Sequence, residues 1–217
     1  HDVSANRTVP YGFRFVEATG LVVFYSRLLG MPNFASYTAP VDGSRAPTQL
    51  VPDEYMERAS DVTPDGQYYI FAATLPATGV NGIYSIPLTG SASPVLVAPS
   101  RPGIGSVRVA DNGRHVLWAQ LVSGPYVGGL FGASLPPTTG DPITFADTGD
   151  PIRMDFLWSP RVFYVQGSSL YSREYSSTAT PVALDTSITY ATTPPSTALS
   201  SDGSLFMYLD GTIGVGS

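Results

Sequence analysis

An all-β chain made of repeated four-stranded sheets is what this 217-residue sequence predicts. Three observations carry the prediction. A turn-and-strand phrase recurs, as "VTPDGQYYIFAAT" (Val62–Thr74), "VADNGRHVLWAQL" (Val109–Leu121) and "LSSDGSLFMYLD" (Leu199–Asp210). The turn glycines Gly20, Gly66, Gly113 and Gly203 lie 46, 47 and 90 residues apart, and the last gap leaves room for one more unit, "FLWSPRVFYVQ", in which Ser159-Pro160 stands in for the full turn. Five residues past each glycine stands an aromatic: Tyr25, Phe71, Trp118 and Tyr208, with Tyr164 in the shortened unit. A four-stranded unit of roughly 40–50 residues is the size of a β-propeller blade. The fold class predicted is therefore a β-propeller of antiparallel blades.

The elements follow from local chemistry. Asp-Gly and Asn-Gly suit hairpins because Gly, Asn and Asp tolerate positive φ. In the second unit the expected strands are Ser60–Thr63, Tyr68–Leu75, Gly82–Leu88 and Pro94–Ala98, separated by turns at Pro64-Asp65-Gly66, Gly79–Asn81 and Thr89-Gly90-Ser91. The second strands, "LVVFY", "YYIFA", "HVLWA", "VFYV" and "LFMYL", are apolar almost without alternation. Such runs imply cover on both faces, as between stacked blades. A second aromatic column follows in the third strands at Tyr37, Tyr84, Phe131 and Tyr171. Both columns are expected to fill the space between neighbouring blades.

These units place blades at about 11–52, 59–99, 104–147, 151–186 and 194–217, within one domain spanning 1–217. The fifth unit lacks an outer strand. "NRTVP" (Asn6–Pro10) resembles the outer strands "PTQLVP" and "PVLVAP". The N-terminus is thus expected to close a five-bladed ring and to remove two exposed edges. The alternative is a fragment of a larger propeller. The chain starts at His1 rather than Met, which fits a processed chain or a piece of a longer one.

The turn-plus-strand pattern resembles the TolB-like, or PD40, propeller repeat, which writes "WSPDG", a strand, and then an "IY" or "LY" strand. Here "VTPDGQYYIFAA…GIYSIPLTG" matches best. Trp158–Pro160 ("WSP") and Leu170-Tyr171 ("LY") keep two halves of the motif. "VADNG" and "LSSDG" match less well, and the first unit reads "VEATG". The resemblance covers almost the whole chain. It implies a propeller that is extracytoplasmic in bacteria and acts as a binding or scaffold component. The same repeat also forms the gating propeller of prolyl-oligopeptidase-type enzymes.

Composition narrows the function classes. The formal charge is −6, there is no Lys, and the 11 basic residues are all Arg. They form no stripe, which disfavours nucleic acid and anionic membrane surfaces as partners. Gly and Pro together make about 19% of the chain, below the roughly 25–30% of low-complexity sequence. The chain has no Cys, so disulfides, thiolate ligands and Cys nucleophiles are excluded. No apolar run approaches the roughly 18 residues of a membrane-spanning helix. No G-x-S-x-G nucleophile elbow occurs. Two histidines, His1 and His115, fall short of the three or four ligands a zinc site takes. No catalytic residue, metal or cofactor is expected.

The candidate binding residues follow from the blade alignment. Inner strands align Phe15, Asp61, Arg108, Leu157 and Ala198, with Asp155 two residues before Leu157 on the same face. Asp61, Arg108 and Asp155 are thus expected to line a central channel. They form either a polar pocket for a small ligand or ion, or charges paired across blades. Tyr55 and Met56, in the polar connection "PDEYMERASD", and Tyr126 and Val127, in the loop "LVSGPYVGG", are candidate protein contacts. The function expected is a non-catalytic extracytoplasmic module that binds a protein partner or presents a surface. The alternatives are a lectin-like sugar binder and a propeller enzyme, either a glycosidase or the gating propeller of a peptidase.

Overall fold

The computed structural model of the chain describes residues 12–26, 35–101, 103–123, 126–135, 142–147, 152–158, 161–176, 178–186, 197–199 and 206–208. For 12, 121–123, 126–127, 152–158, 185, 197–199 and 206–208 the description is of the backbone. Asn6–Pro10, Ser159-Pro160, Gly203 and the chain end, on which the five-bladed closure rests, lie outside the described residues.

The described chain is β throughout, apart from one 3-10 turn at Glu17–Thr19. Strands β1 (Gly12–Val16), β2 (Leu21–Ser26), β3 (Ala35–Pro40) and β4 (Thr48–Gln49) form a first sheet in that order. β5 (Met56–Val62), β6 (Tyr68–Leu75), β7 (Val80–Pro87) and β8 (Val95–Pro99) form a second. β9 (Ile104–Val109), β10 (His115–Ser123), β11 (Tyr126–Ser134) and β12 (Ile143–Ala146) form a third. β13 (Ile152–Trp158), β14 (Arg161–Gln166), β15 (Ser169–Glu174) and β16 (Val182–Asp185) form a fourth, and β17 (Thr197–Leu199) pairs with β18 (Phe206–Tyr208). The third and fourth sheets are joined where Val127 of β11 pairs with Ile152 of β13. The chain groups into two compact units, His1–Trp118 with Gly132–Pro142, and Ala119–Phe131 with Ile143–Ser217.

The repeated phrase is a repeated turn. Between β5 and β6, the Gly66 N–H donates to the Thr63 carbonyl (2.8 Å) and the Thr63 N–H to the Tyr68 carbonyl (3.0 Å). Asp65 Oδ1 accepts from the Gln67 N–H at 3.0 Å and from the Thr63 hydroxyl at 2.6 Å. Between β9 and β10 the same bonds return, from the Gly113 N–H to the Ala110 carbonyl (2.9 Å) and from the Ala110 N–H to the His115 carbonyl (2.8 Å). Asn112 Oδ1 there takes the Asp65 role, accepting from the Arg114 N–H at 2.9 Å. A further backbone bond recurs every 47 residues, from Val41 to Gly20, Leu88 to Gln67 and Leu135 to Arg114. The short polar side chain closes the turn, and glycine supplies the left-handed residue.

The aromatic columns are pairs across neighbouring strands. Phe71 stands opposite Tyr84 and stacks on it, centroids 5.6 Å apart and 23° between planes. Tyr164 and Tyr171 do the same at 5.5 Å and 21°. In the first sheet the structure corrects the sequence expectation by one residue: the pair is Phe24–Tyr37, at 5.7 Å and 21°, while Tyr25 stands opposite Ser36. The cause is the 3-10 turn. It delays the left-handed residue to Gly20 (φ 64), which occupies the place of Gln67 rather than of Gly66. Counting from the glycine therefore lands one residue late.

The first two sheets pack through a single core. Val16, Leu21, Val23, Leu50 and Val51 meet Val62, Tyr69, Phe71, Ala73, Tyr84 and Ile86. Each Val, Leu, Ile or Phe side chain among them contributes roughly 1.5–3 kcal/mol when fully buried. The turns interlock as well: a Cβ on Gly66 would sit 2.7 Å from Val16 Cγ1 and 2.8 Å from Thr19 Cγ2, whereas one on Gly20 would meet nothing within 4 Å. Both glycines have positive φ. Gly20→Ala therefore carries backbone strain alone, roughly 1–3 kcal/mol. Gly66→Ala adds a clash with the neighbouring sheet and is expected to lower the urea midpoint clearly further than Gly20→Ala. Equal shifts would mean that the two turns are not packed together.

In the second unit, Arg173 of β15 is buried and donates to the carbonyls of Thr144 (2.8 Å) and Phe145 (3.0 Å) in β12. Its guanidinium also lies 5.0 Å from the Phe145 ring centroid. A buried arginine thus ties the third sheet's outer strand to the fourth sheet.

Two expected loops are partly strand. β5 starts at Met56, so the polar connection ends four residues sooner than its composition suggested. β10 runs to Ser123 and β11 starts at Tyr126, which places Tyr126 and Val127 in a strand rather than in a long loop.

Candidate functional site

The 47-residue offset brings Arg14, Asp61 and Arg108 to corresponding positions of β1, β5 and β9. Phe15, aligned with Asp61 by counting from the glycine, is displaced by Arg14: Arg14 stands opposite Val23 as Asp61 stands opposite Ile70. Asp61 is buried and has three partners. The Arg14 guanidinium donates to Oδ1, the Val62 N–H donates to Oδ1 at 2.8 Å, and the Val109 N–H donates to Oδ2 at 2.8 Å. One carboxylate therefore pins the inner strands of three successive sheets. The Arg14 pKa is lowered by partial burial and by the Arg108 charge. Arg108 itself is exposed. Asp155 falls at the irregularity of β13 between Met154 and Phe156, and its side chain lies outside the described residues. Arg14 escapes a count from the turn glycines, although its strict spacing from Asp61 and Arg108 is there to find.

Beside Asp61 a cleft of about 220 Å³ opens between the first two sheets, with Phe13, Arg14, Tyr25, Ser36, Ser60 and Tyr69 on its walls. Behind it sits Glu57. The Tyr69 hydroxyl lies 2.5 Å from Glu57 Oε1, 2.6 Å from Ser60 Oγ and 2.6 Å from Ser36 Oγ. Ser36 Oγ is also 3.0 and 2.8 Å from the two Glu57 oxygens. Proton counting favours the neutral acid. With Glu57 ionised, the three hydroxyl protons of Ser36, Ser60 and Tyr69 face four short contacts, and one contact has no proton in it. With Glu57 protonated, a ring closes: Oε2–H donates to Ser36, Ser36 to Tyr69, and Tyr69 to Oε1, while Ser60 donates to Tyr69. Burial raises Glu57 above the usual carboxylate range and outweighs the hydrogen bonds from Tyr69, Ser36 and Ser60, which act the other way. Burial and the nearby Glu57 raise Tyr69 well above the usual tyrosine value.

The sign of the linkage follows. A carboxyl whose folded pKa is raised binds its proton more tightly when folded. Its contribution to stability is full below the ordinary glutamic acid pKa and is lost as pH rises through the folded value. Glu57→Gln keeps a neutral side chain of the same shape. It is expected to flatten this part of the pH–stability curve, read as urea midpoints from acid to neutral pH. A variant that keeps the wild-type slope would place the titration elsewhere.

The remaining candidates have these surroundings. Tyr55 is turned into the core, edge-on to Phe71 at 5.9 Å and to Tyr84 at 5.1 Å, so its ring is occupied within the chain. Met56 is 48% exposed. For Tyr126 and Val127 the backbone is described and the side chains are not. Among the described residues no group of three or more His, Asp or Glu is placed to hold a metal ion.

No family model matches the chain, and no curated protein matches it. Solved structures do. One is a crystal structure of a nidogen/laminin complex, with a TM-score of 0.55 and 11% identity over 82% of this chain and 63% of that one. Another comes from a structural and mechanistic analysis of two prolyl endopeptidases, with a TM-score of 0.58 and 13% identity over 84% of this chain and 30% of that one. The chain thus spans less than two thirds of either neighbour. Both neighbours contain β-propellers, and the likeness establishes the fold class: this chain is an all-β protein of the β-propeller class.

Proposed function

We propose that the chain is a non-catalytic propeller module of the TolB-like kind, part of an extracytoplasmic bacterial protein, and that it binds a protein partner. The observation that carries this reading is the engagement of the two acids beside the cleft. Asp61 is held by Arg14 and two backbone N–H groups, and Glu57 by Ser36 and Tyr69. A glycosidase needs one carboxylic acid and one carboxylate facing a sugar across a gap. Here Asp61 is filled by protein donors, and Glu57 is closed into a hydrogen-bonded ring with Ser36 and Tyr69.

The inner strands of these two sheets offer apolar contact area instead. Phe13, at the start of β1, is 79% exposed, and Met56 starts the neighbouring inner strand β5. Exposed aromatic residues and Met are the types enriched in protein interfaces.

The test is affinity capture from an extracytoplasmic extract, with the chain and its Phe13→Asp/Met56→Asp variant side by side. A protein retained by the chain and lost with the variant supports the reading. Identical capture by both contradicts the assigned surface. Turnover of chromogenic glycosides or peptides that disappears in Glu57→Gln or Asp61→Asn contradicts the non-catalytic assignment.

A further inference from the structure

The 47-residue offset makes one junction of the molecule a control for another. Between the first and second sheets, Val16, Leu21, Val23 and Thr38 are buried, and Gly66 leaves no room beside Val16 and Thr19. The corresponding residues of the second sheet are Thr63, Tyr68, Ile70 and Ser85. They line a groove of about 450 Å³ together with Gly113, Arg114 and Leu135. Thr63, Ile70 and Ser85 are as buried as their counterparts, and the junction is open at its edge, around Tyr68 and Val95. A Cβ on Gly113 would meet nothing nearer than Pro64 Cδ at 3.6 Å. Tyr68 is 42% exposed where its counterpart Leu21 is 9%, and Val95 of β8, also on the groove wall, is 53% exposed.

The charged positions of the groove differ from those of its closed counterpart: Asp65 stands where the first junction has Ala18, and Asn112 where it has Asp65. Arg114 stands where the first junction has Gln67. Its backbone is fixed on both sides, the N–H on Asn112 Oδ1 at 2.9 Å and the carbonyl on the Leu135 N–H at 2.7 Å. Arg114 takes part in neither the Arg14–Asp61 nor the Arg161–Glu174 ion pair. The acid of the groove, Asp65, is engaged by the Thr63 hydroxyl and the Gln67 N–H. Tyr68, Val95 and Leu135 supply an apolar lining, with Ile70 buried beneath them. The volume falls within the roughly 300–1,000 Å³ of small-molecule sites. A guanidinium beside an apolar slot matches a carboxylate on an apolar body, and charge-assisted bonds to carboxylate are among the strongest available to Arg.

We propose that this groove between the second and third sheets binds an amphipathic organic anion, with its apolar body against Tyr68 and Val95 and its carboxylate on Arg114. The site is separate from the inner-strand cleft and independent of any protein partner.

The test is isothermal titration calorimetry with octanoate as the probe, and octan-1-ol and octylamine as uncharged and cationic comparators. Octanoate is expected to bind saturably, about tenfold or more tighter than octan-1-ol, a difference of about 1.4 kcal/mol. Octylamine is expected to bind more weakly still. Arg114→Gln, which installs the residue of the closed junction, is expected to bring octanoate down to the level of octan-1-ol. Val95→Asp is expected to remove binding of both while leaving the urea midpoint in place. Four results overturn the proposal: no saturable octanoate binding, equal affinity for octanoate and octan-1-ol, tighter binding of octylamine, or unchanged octanoate affinity in Arg114→Gln.

Discussion

Phe71→Ala lowers the unfolding free energy by roughly 3–5 kcal/mol, as expected for truncating a large ring in a packed core. Phe71 is fully buried. It stacks on Tyr84, lies 5.9 Å from Tyr69 and takes the edge of Tyr55 at 5.9 Å. Three rings lose a partner at once, and strands on both sides leave little room for collapse. Urea unfolding followed by near-ultraviolet circular dichroism reads the loss directly. The first sheet supplies the sharper comparison. Phe24 holds the Phe71 position and Tyr25 does not, so Phe24→Ala is expected to cost clearly more than Tyr25→Ala. The reverse order would return the register to the one counted from the turn glycine.

Asp61→Ala is expected to cost roughly 2–6 kcal/mol, from two backbone donors left without acceptors at about 1–3 kcal/mol each. Coulomb attraction is the smaller part. The Arg14 side chain is 56% exposed, so water screens the pair and hydrates the arginine when its partner is gone. Arg14→Gln keeps a donor for Oδ1 and both backbone N–H bonds to the buried carboxylate, so it is expected to cost less than Asp61→Ala. Asp61→Asn falls between, since one amide oxygen remains to accept. Equal losses for Arg14→Gln and Asp61→Ala would show that the ion pair, and not the pinning of Val62 and Val109, carries the site.

Local and long-range chemistry also divide what is legible in the sequence. The turns can be read because their chemistry is local: Asp65 and Asn112 close them through their own side chains, and Gly66 and Gly113 supply the positive φ. The buried second strands can be read because an unbroken apolar run of strand length demands cover on both faces. The start of β5 cannot, because "MERASD" is polar and its strand character comes from pairing with β6, at Met56↔Thr74 and Glu57↔Ala73. Neighbouring strands override composition there. Gly129 misleads in the same way. It suggests a loop before Phe131, yet its missing side chain makes space for the Phe131 ring within β11, as Gly82 makes space beside Tyr84 and Leu96 in β7. The charged positions are half legible. Asp61 and Arg108 stand out by alignment, while Arg14 and the Glu57–Tyr69–Ser36 cluster depend on side chains from different sheets meeting in space. No spacing rule along one strand reveals that Ser36 of β3 reaches Glu57 of β5.

Successive sheets packed face to face at a 47-residue offset underlie the site, the cleft and the groove alike. Nuclear Overhauser contacts in the isotope-labelled chain test this packing at its tightest point. Contacts are predicted from the Gly66 α-protons to the methyls of Val16 and Thr19, together with slow hydrogen exchange at the Val109 amide held by Asp61. A Val109 amide that exchanges freely, with Gly66 showing contacts within its own turn alone, would contradict it.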